Sequence, residues 1–227
     1  MARSADGWAI GSKFGAPGVQ HGHNDVGEVI LCIDDNPVLI DVGVATYTAN
    51  TFGPNRFKLW SMCSDYHSCP APNSCNQHNG ADYAASPSSF AVSDGKAVFS
   101  ADMASCYPLV ACCSKYVRSI TMDESGKGTV LTIDDVYVLT ERKAQDRLYF
   151  MTCCAAKKLS SRSAGLTLGD RTVVIECGKN LSVDVEEVEI PEPSLQKKWS
   201  EGLRRIVFSS DKNAPLEGEY KITIYAK

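Results

Sequence analysis

Three of the chain's four histidines fall in its first third, each within two residues of a carboxylate or a carboxamide. Gln20-His21-Gly22-His23-Asn24-Asp25 sets two imidazoles two residues apart. On an extended segment such residues project to one face, so His21 and His23 are placed to serve a single site. Downstream, Pro37-Val38-Leu39-Ile40-Asp41-Val42-Gly43 closes an apolar run on a carboxylate, an expensive place for an unpaired charge. Asp65-Tyr66-His67-Ser68 follows. Two imidazoles and one carboxylate make a three-ligand zinc set with an open fourth position. On residue types alone this competes with plainer readings. A histidine is often a surface or satisfied core residue, and Asp41 also suits a turn former that bonds its own backbone. His78, in Asn76-Gln77-His78-Asn79, reads as a loop residue.

The elements that must position these groups are strands. Short β-rich runs occupy 28–33, 37–42, 96–101, 116–122, 129–139, 147–153, 171–177, 181–188, 203–209 and 219–225. Tyr220-Lys221-Ile222-Thr223-Ile224-Tyr225 alternates cleanly. Turn signals separate the runs, among them Asp34-Asp35-Asn36-Pro37 and Ser125-Gly126-Lys127-Gly128. Residues 193–203 form the best candidate for a helical turn. The stretch 64–89, rich in Ser, Asn, Pro, Ala and Gly, reads as a long functional loop over the strands. The expected architecture is all-β: a large antiparallel two-sheet β-sandwich filling residues 1–227 as one domain.

Composition narrows the function classes. The 227 residues carry a formal net charge of -4, which disfavours nucleic acid as a partner. It does not disfavour an anionic sugar gripped by a few local cations. No apolar run approaches the roughly 20 residues of a membrane span, so a membrane partner is not expected. The start lacks the apolar stretch of a signal peptide and opens straight into patterned sequence, which suggests a piece of something longer. Ten cysteines include the adjacent pairs Cys112-Cys113 and Cys153-Cys154 in strand-like runs, where neighbours point to opposite faces. That arrangement favours free thiols and a reducing compartment, with the periplasm left open for a full-length protein. Cys63, Cys69 and Cys75 are spaced too widely for a paired zinc knuckle.

Taken together, the motifs become specific. His21-Gly22-His23-Asn24-Asp25-Val26-Gly27, the strand closing on Asp41-Val42-Gly43-Val44, Tyr47-Thr48, Arg56-Phe57-Lys58-Leu59-Trp60-Ser61-Met62 and Tyr66-His67 occur in an order and spacing that resembles the C-terminal domain of heparinase II/III-like proteins. Those show an HxHND-(V/A)-G segment, an apolar strand ending in aspartate, and a YHN-type segment. Asp6-Gly7-Trp8 and Lys13-Phe14-Gly15 match the strand that leads in, and the motif-rich match covers about residues 1–90. The resemblance implies zinc bound by His23, Asp41 and His67. It implies that His21 faces the substrate, with Tyr47 and Arg56 near the cleft as further catalytic candidates. It implies β-elimination on a uronic-acid-containing acidic polysaccharide. In that chemistry the uronate charge is neutralised, a base takes the C5 proton and an acid protonates the leaving oxygen. An N-terminal helical toroid would supply the main catalytic tyrosine and another histidine, so the chain alone is expected to be nearly inactive. An exposed apolar patch is expected where that domain docks, and a homodimer is compatible with the reading. Gln20, Gly22 and Ser68 depart from the family pattern, which removes a polar contact to substrate.

Two rival functions remain distinct in kind. One is a non-catalytic carbohydrate-binding or structural module packed on a helical domain. The other is a hydrolase that uses zinc to activate water. The basic pairs Lys157-Lys158, Lys197-Lys198 and Arg204-Arg205 read as a solvated face rather than a polyanion site.

Overall fold

Apolar residues at every second position have to face a common interior, and they do so from three sheets. The computed structural model describes residues 1–16, 22–47, 51, 53 and 55–227. The first sheet holds β1 (Ala2–Arg3), β2 (Trp8–Lys13), β3 (Glu28–Ile33) and β4 (Asn36–Leu39) in that order. A second has the order β14-β15-β10-β5, from Leu181–Val188, Leu203–Ser210, Arg147–Thr152 and Pro70–Ala71. The third has eight strands: β6 (Ser89–Ser93), β7 (Lys96–Asp102), β8 (Cys113–Asp123), β9 (Val130–Leu139), β11 (Ala156–Ser160), β12 (Ser163–Leu168), β13 (Arg171–Cys177) and β16 (Glu217–Ala226). Their order is β11-β12-β13-β16-β9-β8-β7-β6. The strand pairings are antiparallel, as in the pair of β8 with β9.

The two four-stranded sheets meet where the Ile40 N–H donates to the Met151 carbonyl at 3.0 Å. Together they form the layer that opposes the eight-stranded sheet. One continuous core takes side chains from all three, including Leu31 and Val38, Phe150 and Phe208, and Ile133 and Ile222. The all-β sandwich is therefore as expected, with one layer split in two. β16 keeps the alternation read from sequence, with Tyr220, Ile222 and Ile224 buried and Lys221 exposed.

β10 breaks the alternation, since every residue after Arg147 is buried. Leu148 and Phe150 enter the main core, while Met151 joins a second cluster with Ile40, Val42, Ile190, Leu195 and Leu203. That outer cluster is roofed by α1 (Pro193–Lys198), the helical turn expected there, and by the partly buried Trp60 and Tyr66. The stretch 64–89 is more than a loop laid on top. It supplies β5, whose Pro70 and Ala71 pair with Leu148 and Arg147, and it buries His67, Ser68, Asn73 and Gln77.

Candidate metal centre

The segment before β3 is held to its neighbours by a carboxamide acting as backbone. Gln77 Oε1 accepts from the Val26 N–H at 2.9 Å and Gln77 Nε2 donates to the Val26 carbonyl at 2.7 Å, as a strand would. The Asn24 N–H donates to the Met62 carbonyl, and Asn24 Nδ2 to the Gln77 carbonyl. These bonds fix His23 and Asp25 against the turns that precede His67. Gly27 adopts a φ of 78°, and a Cβ there would lie 2.2 Å from the Met103 sulfur, so only glycine lets the chain turn into β3.

His23, Asp25, Asp41 and His67 come together, each offering one ligand atom within 4.8 Å of the others. Among the described residues this is the group of ligand-type side chains close enough to share one ion, and it contains no cysteine. His23 Nδ1 is 3.8 Å from Asp41 Oδ1, and the two imidazole centroids are 5.1 Å apart. His23 Nδ1 is buried with no hydrogen-bond partner, a costly condition for a polar atom unless something else occupies it. Burial holds the His23 imidazole below its usual range, against the pull of Asp41, so its lone pair is available at neutral pH. Asp41 Oδ1 also accepts from the Gly43 N–H at 2.7 Å, so it forms a strand-end turn while facing the cluster. The Trp199 indole N–H donates to the Val42 carbonyl and steadies the same bend.

Glu28 stands behind His67. His67 Nδ1 lies 2.9 Å from Glu28 Oε1, and Nε2 lies 3.2 Å from the Ser61 carbonyl. Both side chains are buried. Burial alone would lower the His67 pKa, but the charge and hydrogen bond of Glu28 overcome it and carry it up to about 9. Burial raises Glu28 to about 7, with His67 pulling the other way. Both ring nitrogens of His67 thus face acceptors; a carboxylate on Nδ1 is the usual support of a metal-binding histidine, and a metal on Nε2 would take the place of the Ser61 contact. The donor set, the orphaned His23 Nδ1 and this support fit zinc.

A family model described as "Heparinase II/III-like, C-terminal" matches residues 2–197. The chain belongs to that family. Among solved structures, this heparinase II/III-like domain is similar to heparan sulfate lyase HepC from Pedobacter heparinus, at 16% identity and a TM-score of 0.71 over 96% of this chain and 32% of that one. It is also similar to the heparinase III BT4657 gene product (14% identity, TM-score 0.69, 96% of this chain and 32% of that one). A further heparinase III structure gives 14% identity and a TM-score of 0.66 over 91% of this chain and 30% of that one. The chain thus spans about a third of the length of these proteins. No curated protein matches it.

The other residues singled out from the sequence fare differently. His21 lies outside the described residues. Arg56 donates from Nη2 to the Gly22 carbonyl at 2.8 Å and from Nη1 to the Thr51 carbonyl at 3.3 Å, so it ties down the backbone beside His23. Tyr47 is half exposed in the segment beyond Asp41. Asp25 and Glu28 were not singled out as site residues. Asp25 is bonded by the Lys13 ammonium. Glu28 had a legible signal, a carboxylate opening the apolar run Val29-Ile30-Leu31.

Sequence reading also missed Arg118, whose role depends on three distant segments. On β8 it sits opposite Asp135 of β9, and its Nε and Nη2 grip both carboxylate oxygens at 2.8 and 2.7 Å. Its Nη1 reaches across the core to the Gly27 and Ser68 carbonyls at 2.9 and 3.0 Å. Those carbonyls flank Glu28 and His67, so the large sheet anchors both halves of the centre through one fully buried guanidinium.

Proposed function

We propose that this domain supplies a structural zinc centre and one half of the active site of a polysaccharide lyase that cleaves uronic-acid-containing chains by β-elimination. The observation that carries the reading is the convergence of His23, Asp41 and His67, joined by Asp25, from segments far apart in sequence. His23, Asp41 and His67 are the proposed ligands, with Glu28 orienting His67. Zinc would supply a fixed positive charge that holds the His23 segment, Asp41 and the His67 turn together; elimination has no attacking water for it to activate.

The protein's own groups then serve the carbon acid. Arg56 fixes the backbone at Gly22, the residue that follows His21 in sequence. His21 is assigned to the substrate, where an imidazole near neutral pH can neutralise the uronate or move a proton. Tyr47 is assigned to the rim of the cleft. A helical domain would complete the site with its own proton-transfer groups. The exposed Phe90 and Val92 of edge strand β6, and Leu109 and Val110 on the turn before β8, offer apolar surface on which such a domain could pack.

Elemental analysis of the purified chain, with a uronate lyase assay on the full-length protein, tests the proposal. The expected result is about one zinc per chain and an unsaturated product absorbing in the near ultraviolet. Cleavage without that absorbance and abolished by chelator would make it a hydrolase. Sugar retention with no product would make it a binding module.

A further inference from the structure

The two adjacent cysteine pairs behave differently, and the difference marks one of them as a reactive site. The strand-like reading of Cys153 and Cys154 is corrected by the structure: β10 ends at Thr152, and both residues lie in the bend that follows. Freed from the pleat, their sulfurs no longer point to opposite faces. Cys153 Sγ lies 3.7 Å and Cys154 Sγ 3.5 Å from one acceptor, the Pro37 carbonyl of β4. In the other pair the sulfurs diverge to separate partners. Cys112 Sγ is 3.9 Å from Glu141 Oε2, and Cys113 Sγ is 3.4 Å from the Lys115 carbonyl.

Access and acidity are divided within the convergent pair. Cys153 is partly exposed and Cys154 is buried. The hydrogen bond between the two thiols raises Cys153 above the usual thiol range and, opposed by burial and joined by the Thr152 hydroxyl, draws Cys154 down to about 7. Two convergent sulfurs, one of them reachable from solvent, let the second resolve a mixed disulfide formed on the first. Adjacent Cα atoms are ~3.8 Å apart, closer than the ~4.4–6.8 Å of ordinary disulfides, so a bond between neighbours is strained and readily reduced. Strained disulfides are the labile ones rather than permanent staples.

We propose that Cys153 and Cys154 form a dithiol modification site that closes to a vicinal disulfide by exchange with a small-molecule disulfide such as oxidised glutathione. Cys153 passes its proton across the hydrogen bond to the Cys154 thiolate, and the Cys153 thiolate attacks one sulfur of R–S–S–R, forming a mixed disulfide and releasing R–S⁻, which is protonated by solvent. Cys154, ionised to water or buffer, attacks the Cys153 sulfur and expels the second R–S⁻, which is protonated in turn. Two thiols and one disulfide give one protein disulfide and two R–SH. Closure leaves the Pro37 carbonyl without a thiol donor, at the junction where β4 approaches β10. This inference does not depend on the lyase reading.

Incubating the folded chain with oxidised glutathione, blocking with an alkylating agent and digesting with trypsin tests it. Residues 148–157 form one tryptic peptide holding these two cysteines and no other. That peptide is expected to lose the mass of two hydrogens and resist alkylation, and to recover both thiols on treatment with excess reduced glutathione. Cys154→Ser is expected to trap glutathione stably on Cys153, whereas Cys153→Ser, which leaves the sheltered thiol, reacts far more slowly. The proposal is overturned if the parent peptide keeps a stable glutathione adduct. It is also overturned by cross-linking to Cys32, by a peptide that stays fully reduced, or by a closed bond that reduced glutathione does not open.

Discussion

Replacing Arg118 with methionine separates what holds the fold from what shapes the metal centre. The guanidinium is fully buried, bidentate to Asp135 and bonded to the Gly27 and Ser68 carbonyls. Removing it strands the Asp135 carboxylate with the Tyr116 hydroxyl as its remaining side-chain partner, at 3.2 Å. Breaking a buried pair from one side costs about 3–5 kcal/mol, a large share of the ~5–15 kcal/mol of a typical domain. Arg118→Met combined with Asp135→Leu removes the stranded charge, and apolar replacement of a whole buried pair is often close to neutral. What stays lost in the double variant is the donor to the two carbonyls, each worth about 1–3 kcal/mol if left unsatisfied. Urea unfolding followed by tryptophan fluorescence should therefore show a large loss for the single variant and substantial recovery for the double. Zinc affinity, read by competition with a chelating dye, should not recover. Because Gly27 and Ser68 adjoin Glu28 and His67, a weakening of roughly 10–100-fold is expected, as for other groups that support metal ligands. A double variant that binds zinc as tightly as the parent would refute the positioning role.

His23→Ala should lower both zinc content and thermal stability, because a metal held only by the folded state stabilises by about 2.7 kcal/mol at a hundredfold excess over its dissociation constant; equal zinc in variant and parent defeats the assignment. The metal-free chain should lose thermal stability as pH rises. His67 is carried up to about 9 against an unfolded value near 6.5, so its contribution is whole below about pH 6.5 and is lost as pH passes about 9. Glu28, raised from 4.5 to about 7, acts with the same sign at lower pH. Zinc on His67 Nε2 replaces the titrating proton, so the loaded chain should lose less stability across the alkaline part of this window. A flat melting temperature for the metal-free chain from about pH 5 to about pH 9 would contradict the Glu28–His67 account.

Much of the strand pattern could be read locally. The runs at 28–33, 171–177 and 181–188 coincide with β3, β13 and β14, because β-branched apolar runs, or alternation in β14, and flanking turn residues are written within each segment. The strands that escaped notice have weak local signals. β6 is exposed along its whole length, β11 is nearly so, β5 is two residues long and begins with proline, and β12 contains Gly165. These are strands because a neighbour pairs with them. The buried outer face of β10 was equally invisible, since it depends on the cover supplied by α1 and the turns around Trp60 and Tyr66.

The same division runs through the site. Side-chain type and short-range spacing, which are local properties, offered His21, His23, Asp41 and His67 as candidates for a metal, and the family resemblance singled out His23, Asp41 and His67 among them. Tertiary structure alone decided that they meet, that Asp25 joins them, that Glu28 lies against the back of His67, and that Arg118 ties both segments to the far sheet. Those contacts join residues dozens of positions apart, and their worth comes from burial. A carboxylate, an imidazole and a guanidinium taken out of water must find one another, and only the packed sandwich determines which ones do.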